Sequence, residues 1–345
     1  MDYQLSLNVR CPLDLLEICP AYTQTPIVEI SPLNSIRLLI KDETNRMGLG
    51  SFKALGGIYA VAKFLLGQWQ KENGRELLVQ RLTDLEIQSW CNQFTFVCAS
   101  AGNHGIAVAK GAELFHANCR VHIAHSVPAS FAKRLMALGA VVIRSGETYE
   151  ESMVAAMNDN LNGEILLADS SWPGYYYLPM LVMEGYTVIA EEMREVFLRE
   201  DSWPTHVFLQ AGVGGLAASM AFEIRKNWKQ QPRIVVVEPQ AAPCLFESYK
   251  LGHITTVSGP ISSMGRLDCK EPSLIAFNIL KELADDFVCV SDEEALTAAN
   301  FLAKNKLATT PSGAAGLAAV LSNAKLDIAI PGNSTCLVIA TEGSI

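Results

Sequence analysis

The chain has 345 residues, half of them apolar and 18% charged, with a formal net charge of −9 at neutral pH. That length can bury the core of one large α/β domain or of two lobes, and the composition excludes an intrinsically disordered chain. The acidic balance, with no basic stripe, argues against nucleic acid as a partner, and the lack of any 18-residue apolar run argues against a membrane span.

The N-terminal stretch MDYQLSLNVRCPLDLLEICP is acidic and broken by proline, so it does not read as a secretory signal. Nine scattered cysteines contain no C-x-x-C pair. They suggest neither a metal site nor a disulfide framework, and fit core thiols in a reducing cytoplasm. Next, SFKALGG (51–57) sets Lys53 between a phenylalanine and small apolar residues. Two readings stand at this point. Lys53 is a helix lysine whose stem covers apolar surface while its ammonium reaches water, or it is held in a cleft with a lowered pKa, ready to form an imine with a carbonyl compound.

From residue 94 the pattern alternates. FTFVCAS reads as a buried strand, followed by a helix from His104 to about His116. CRVHIAH is a strand, Phe131–Leu138 a helix, AVVIRS a strand, Thr148–Asn160 a helix, and EILLAD closes the block. A second block runs from THVFLQAG through a helix from Gly214 and the strand PRIVVVEP to STCLVIATEG. Alternation of this kind means βαβ units, parallel sheets and ligand sites at strand C-termini.

Within LQAGVGGLAAS, Gly212, Gly214 and Ala217 fit G-x-G-x-x-A, and Glu238 ends the next strand where a ribose-binding acid would sit in a nicotinamide enzyme. The loop speaks for a phosphate more firmly than for a dinucleotide, because glycines bare backbone N–H groups to any phosphate at a helix start. A plain structural turn is the alternative. CASAGNHGIAVA places Ser100, Gly102, Asn103, His104 and Gly105 at a second strand-to-helix turn, a cradle suited to a carboxylate. A cofactor with one phosphate, an amino acid with one carboxylate and an imine-forming lysine account for both loops.

SFKALGG, SAGNHG, AGVGGL and the terminal ATEGS occur in the order and approximate spacing of fold-type II pyridoxal-phosphate enzymes, which the chain resembles along nearly its whole length. Within that family, KDETNRMGLGSFKALGG, VVVEPQAAPC and DSSWPGYYYLPMLVMEGYTVIAEE are most similar to the diaminopropionate ammonia-lyases. The resemblance implies a two-lobed α/β fold, each lobe an open, mostly parallel sheet flanked by helices, with the active site in the cleft. It places residues 1–85 and 195–345 in a large cofactor domain and 86–194 in a small substrate-carboxylate domain. The cofactor implied is pyridoxal 5'-phosphate, and the reaction is β-elimination from a β-substituted L-α-amino acid in a cytoplasmic homodimer, with no metal. A serine/threonine-type dehydratase, a β-replacement synthase and a catalytically silent cofactor-binding homologue are the alternatives.

By the same resemblance, Lys53 forms the imine and takes the Cα proton, and Gly212, Val213, Gly214, Gly215 and Leu216 bind the phosphate through backbone amides. Asn103 contacts the ring oxygen, and Phe52 packs near the ring or simply in the core. Thr341 occupies the place of the pyridine-nitrogen partner, with Ser312 an equal neighbour in sequence terms that reads as pocket wall. A hydroxyl there cannot hold the nitrogen protonated as a carboxylate would, which favours prompt loss of a β-leaving group. The substrate rests on Ser100, Ala101, Gly102 and His104, with no proton-transfer role for the histidine. Asp169 serves the substrate's β-ammonium or leaving group, or else caps a helix. Ala101 stands where the lyases carry an acid understood to serve the D-substrate, so activity toward the D-isomer is not expected.

Overall fold

The computed structural model describes residues 7–344 with the exception of 17, 18, 20, 34, 101, 162 and 327. In chain order its elements begin with α1 (Arg10–Leu16), β1 (Ile27–Leu33), β2 (Ile36–Asp42), α2 (Lys53–Asn73), α3 (Leu85–Cys91), β3 (Thr95–Ala99) and α4 (Asn103–Leu114). There follow β4 (Asn118–Ile123), α5 (Ala129–Ala137), β5 (Val141–Arg144), α6 (Tyr149–Leu161), β6 (Ile165–Leu166), α7 (Tyr177–Glu200), β7 (His206–Gln210) and α8 (Gly215–Asn227). The chain continues through β8 (Arg233–Pro239), α9 (Cys244–Leu251), α10 (Leu274–Leu283), β9 (Asp286–Val290), α11 (Asp292–Lys304), α12 (Pro311–Leu321) and β10 (Thr335–Ala340).

These strands form two sheets, ordered β1-β2-β10-β7-β8-β9 and β5-β4-β3-β6. All pairings are parallel except the antiparallel β1–β2 edge. Every residue of β7 is buried, and so is all of β8 beyond Arg233. Continuous apolar runs are what a parallel sheet with both faces covered requires. The block expected as EILLAD is shorter as a strand, only Ile165–Leu166. Leu167 still donates to the Val97 carbonyl at 2.7 Å, but the Tyr175 hydroxyl then takes the Ala168 N–H at 3.0 Å and turns the chain out of the sheet.

The small residues after Lys53 have a packing reason. A Cβ on Gly56 would lie 2.4 Å from Tyr186 Cε1 and 2.6 Å from the Val182 carbonyl, and one on Gly57 would lie 2.5 Å from Ala107 Cβ. Real Cβ atoms do not come that close, so α2 can touch α7 on one side and α4 on the other only with glycine at both positions. The N-terminus of α2, and Lys53 with it, is thereby fixed between the two sheets.

The segment before α2 is anchored by a buried charge cluster. Glu192 on α7 accepts from Lys41 at 2.6 Å and from Arg46 at 2.7 Å, and Arg46 also pairs with Glu43 at 2.6 Å. All four side chains are essentially inaccessible, so each charge depends on the others for compensation.

Glu238, which invited the nicotinamide reading, faces away from any ribose. It is fully buried and accepts from the Leu245 and Phe246 amides at 2.8 and 2.7 Å, closing the first turn of α9. Burial pushes its pKa up to about 8, against the pull of those two amides.

Candidate active site

Lys53 opens α2, and the chain in front of it runs beside the end of β10. Phe52 N–H donates to the Thr341 carbonyl at 3.1 Å, and Ser51 bridges Glu342. Across the cleft Asp169 ion-pairs with Lys53 Nζ, and the two side chains keep 20% and 19% of their surface open, enough for a small molecule to reach them. The capping alternative for Asp169 does not hold, because α7 begins only at Tyr177. The snorkelling alternative for Lys53 fails too, since the ammonium turns inward to a carboxylate.

One expectation is corrected. Burial, the largest influence, would lower the pKa of Lys53, but the charge and hydrogen bond of Asp169 together with Tyr186 outweigh it, and the ammonium is held above the ordinary lysine value. Burial, again the largest influence, would raise Asp169, yet the charge and hydrogen bond of Lys53 lead an opposing pull that holds the carboxyl well below its usual range. The lysine is therefore protonated at neutral pH in the cofactor-free protein, not poised as a free amine.

Two helix starts face this pair. Gly102 is the N-cap of α4 and Gly214 that of α8, and no side chain caps either helix. Gly214 has φ +95°, a conformation suited to glycine, and a Cβ there would meet Leu245 Cδ1 at 2.9 Å. A Cβ on Gly212 would lie 2.9 Å from Cys269 Sγ. The loop from Gly212 to Leu216 is thus tightly packed at Gly212 and Gly214, and a helix start of this kind is suited to a phosphate. Val213 belongs to the same loop, its carbonyl accepting from Ser273 N at 2.9 Å. Gly215 lies against Met183, the Asp169 carbonyl and Tyr186.

On the α4 side, Asn103 is buried and its Nδ2 donates to Glu342 Oε2. The His104 ring turns into the fold, where Nε2 lies 2.8 Å from the Leu167 carbonyl and so carries the proton. Burial lowers its pKa, which keeps the ring neutral, and Nδ1 is buried with no hydrogen-bond partner among the described residues. Ser100 Oγ accepts from Gly102 N at 3.3 Å. Ala101 lies outside the described residues. Thr341 is buried, and its Oγ1 is 3.4 Å from Gln210 Nε2. Ser312 Oγ takes the Arg266 N–H at 3.1 Å. Phe52 packs edge-on against Tyr186, with centroids 4.9 Å apart and Lys53 Nζ 5.6 Å from the Phe52 centroid.

Sequence reasoning missed four residues here. Glu342 adjoins Thr341 and carries a buried carboxylate that also accepts from Thr310 Oγ1 at 2.5 Å. Arg266 approaches it at 3.7 Å. The Tyr186 hydroxyl is buried with no hydrogen-bond partner among the described residues, and the Cys269 thiol, pushed up to about 12 by burial and by Asp169, backs the Gly212 loop. For Glu342 a signal existed in its place within the terminal motif, whereas the other three are joined to the site only by the fold.

Among the described residues no group of metal-ligating side chains occurs, and no helix is long and apolar enough to cross a membrane. The residues present fit pyridoxal phosphate: an inward lysine, a glycine-rich loop at an uncapped helix start, and an orphaned buried hydroxyl beside it.

The family model described as "Pyridoxal-phosphate dependent enzyme" matches residues 18–342. The diaminopropionate ammonia-lyase of Salmonella typhimurium is 34% identical over 283 residues, 79% of this chain and 70% of that protein. The crystal structure of the Escherichia coli diaminopropionate ammonia-lyase in complex with an aminoacrylate-PLP azomethine reaction intermediate superimposes with a TM-score of 0.85 at 27% identity, covering 97% of this chain and 88% of that one. The same enzyme in complex with D-serine gives a TM-score of 0.85 at 25% identity, covering 100% and 91%. The chain belongs to the pyridoxal-phosphate dependent enzymes, in the family of the diaminopropionate ammonia-lyases.

Proposed function

We propose that the protein is a lyase that removes the β-substituent of an L-α-amino acid, 2,3-diaminopropionate being the leading substrate. The observation that carries this reading is the Lys53–Asp169 pair set between two uncapped helix starts, one for a phosphate and one for a carboxylate. When bound, pyridoxal phosphate supplies an electron sink for negative charge at the substrate Cα. Lys53 would hold the cofactor's aldehyde carbon, the amides of Gly212–Leu216 its phosphate, Asn103 the ring oxygen, Thr341 the ring nitrogen and Phe52 the ring edge.

Once substrate has displaced it, Lys53 is the base at Cα. Asp169, ionised, holds the β-amine as its ammonium, so that it departs as neutral ammonia. Ser100, Ala101, Gly102 and His104 present the backbone against which the α-carboxylate rests. Diaminopropionate and one water then give pyruvate and two ammonia, whereas serine gives pyruvate and one. Ala101, matching SAGNHG of the dehydratases, favours L-serine elimination as the second reading.

The lobes follow the two sheets, with residues 86–194 as the small domain and 1–85 with 195–345 as the large one. All nine cysteines are free thiols, which supports a cytoplasmic setting. A homodimer is the assembly proposed, and a monomer in sedimentation would overturn that part. The central test is borohydride reduction with peptide mapping, together with keto-acid and ammonia release from L-diaminopropionate, L-serine and L-threonine. Label on Lys53 and release from at least one substrate are expected. Label on another lysine, or no release from any β-substituted amino acid, sinks the reading.

A further inference from the structure

Arg266 lies in the loop between α9 and α10, and its main chain is held firmly. Its N–H donates to Ser312 Oγ at 3.1 Å, and its carbonyl lies 3.2 Å from where a Cβ on Gly212 would be. The residue therefore starts at the glycine loop of α8. Its side chain then crosses the cleft to the other loop, where Nη1 and Cζ sit 3.0 and 3.2 Å from where a Cβ on Gly102 would be. The guanidinium also lies over the Phe131 ring of α5, 5.6 Å from its centroid. A side chain on Gly102 would press on the guanidinium.

The charge balance at this spot is incomplete. The acidic partner of Arg266 is Glu342, with Nε 3.7 Å from Oε2, beyond hydrogen-bond distance. The Glu342 carboxylate is already engaged by Thr310 and Asn103. Neither Nη atom of Arg266 has an acceptor among the described residues, and the side chain is 35% exposed toward the cleft. A guanidinium fork with both outer nitrogens free is thus set against the uncapped start of α4, whose first N–H groups carry partial positive charge. Glu342 touches both sides, through Arg266 Nε and Asn103 Nδ2, but among the described residues it leaves the outer Nη atoms without an anion. A planar fork of this kind matches a carboxylate.

We propose that Arg266 closes the α-carboxylate site from the side opposite α4, its Nη pair taking the substrate's α-carboxylate and restricting the enzyme to amino acids in which that group is free and charged. This assignment rests on the elimination reading above. It makes Arg266 a specificity residue, distinct from Lys53 and Asp169, which act at Cα and the β-substituent.

The test uses the holoenzyme, with binding read from the visible absorbance of the bound cofactor and turnover from keto acid. Wild type, Arg266→Gln and Arg266→Lys are titrated with L-serine and with L-serinamide, which lacks the carboxylate charge. Arg266→Gln should raise the half-saturating L-serine concentration by about 10- to 100-fold, the range for a charge-assisted bidentate contact, with a smaller change in kcat. Arg266→Lys should recover only part, since a point charge replaces a fork. L-Serinamide should bind wild type more weakly than L-serine, and the difference should shrink in Arg266→Gln. Unchanged L-serine binding in Arg266→Gln, or an equal loss for serine and serinamide, overturns the proposal. So does a loss confined to O-phospho-L-serine, which would assign the guanidinium to a second anion on the β-substituent. A wild-type spectrum that responds to L-serine, with no keto acid released from it or from any other β-substituted amino acid, sinks the elimination reading and leaves the Arg266 comparison decisive.

Discussion

Lys53 and Asp169, 116 residues apart in the chain, meet as a half-sheltered ion pair at the floor of the cleft. The pair stabilises both charged forms in the cofactor-free protein. The folded pKa of Asp169 is depressed, so its contribution is complete above the ordinary carboxylate value and is lost as pH falls through the depressed one. That of Lys53 is raised, so its contribution is complete below the ordinary lysine value and is lost as pH rises through the raised one. Across neutral pH the pair is intact.

An ammonium is not a nucleophile, so uptake of pyridoxal phosphate must draw on the small neutral fraction of Lys53. Uptake by cofactor-free protein, followed by visible absorbance, should accelerate from about pH 7 to about pH 10, toward the ordinary lysine range. Asp169→Asn removes the opposing charge and leaves burial, which lowers the lysine pKa. Uptake at neutral pH should then quicken about tenfold for each unit of that fall. A pH-independent rate, or slower uptake in Asp169→Asn, would show that the lysine proton does not limit loading.

Glu192 holds Lys41 and Arg46 in the interior beside the segment that leads to Lys53. Glu192→Ala leaves two buried cations without their shared carboxylate and should cost about 3–5 kcal/mol. The measurement is a denaturant midpoint with the slope unchanged. A loss below about 1 kcal/mol would mean that water reaches the cluster and screens it, as at exposed pairs.

Gly56→Ala forces a methyl toward Tyr186 and the Val182 carbonyl. Overpacking of this kind costs about 1–3 kcal/mol, and the helix it displaces carries Lys53 at its first turn. Lower melting temperature should therefore come with weaker cofactor retention in dialysis. Lost stability with wild-type retention would show that α2 yields further along its length and leaves the lysine in place.

The alternating block from β3 to β6 and the strands β7, β8 and β10 are readable because parallel strands are short, mostly apolar runs bounded by polar turns. The anion loops are readable because glycine and small residues cluster where a strand becomes a helix. The β1–β2 edge is less legible, since IVEISPL mixes a charge and a proline into a short apolar run. Glu342 shows the limit for side chains. In the sequence it is one acid among 36 Asp and Glu residues, and only folding brings it to Asn103, 239 positions away, and to Arg266. The state of Lys53 was equally hidden, because its pKa depends on a carboxylate that no local motif announces.

The last prediction concerns stereochemistry and leaving group together. On the proposed mechanism Lys53 takes the Cα proton from one face of the substrate, and Ala101, whose side chain is a methyl group, supplies no base in the proposed carboxylate loop. L-Diaminopropionate should therefore react faster than the D-isomer by about 10²-fold or more, the contribution of one general base. Ala101→Asp should raise D-isomer turnover. Asp169 adds a second axis: an amine needs a proton or a paired charge to depart, whereas a β-chloride does not. Asp169→Asn should accordingly slow L-diaminopropionate by about 10²-fold and β-chloro-L-alanine much less, read as kcat for each substrate on fully loaded enzyme. Equal slowing of both would assign Asp169 to the Cα step or to cofactor seating, and comparable wild-type turnover of the two diaminopropionate enantiomers would require a second base elsewhere in the cleft.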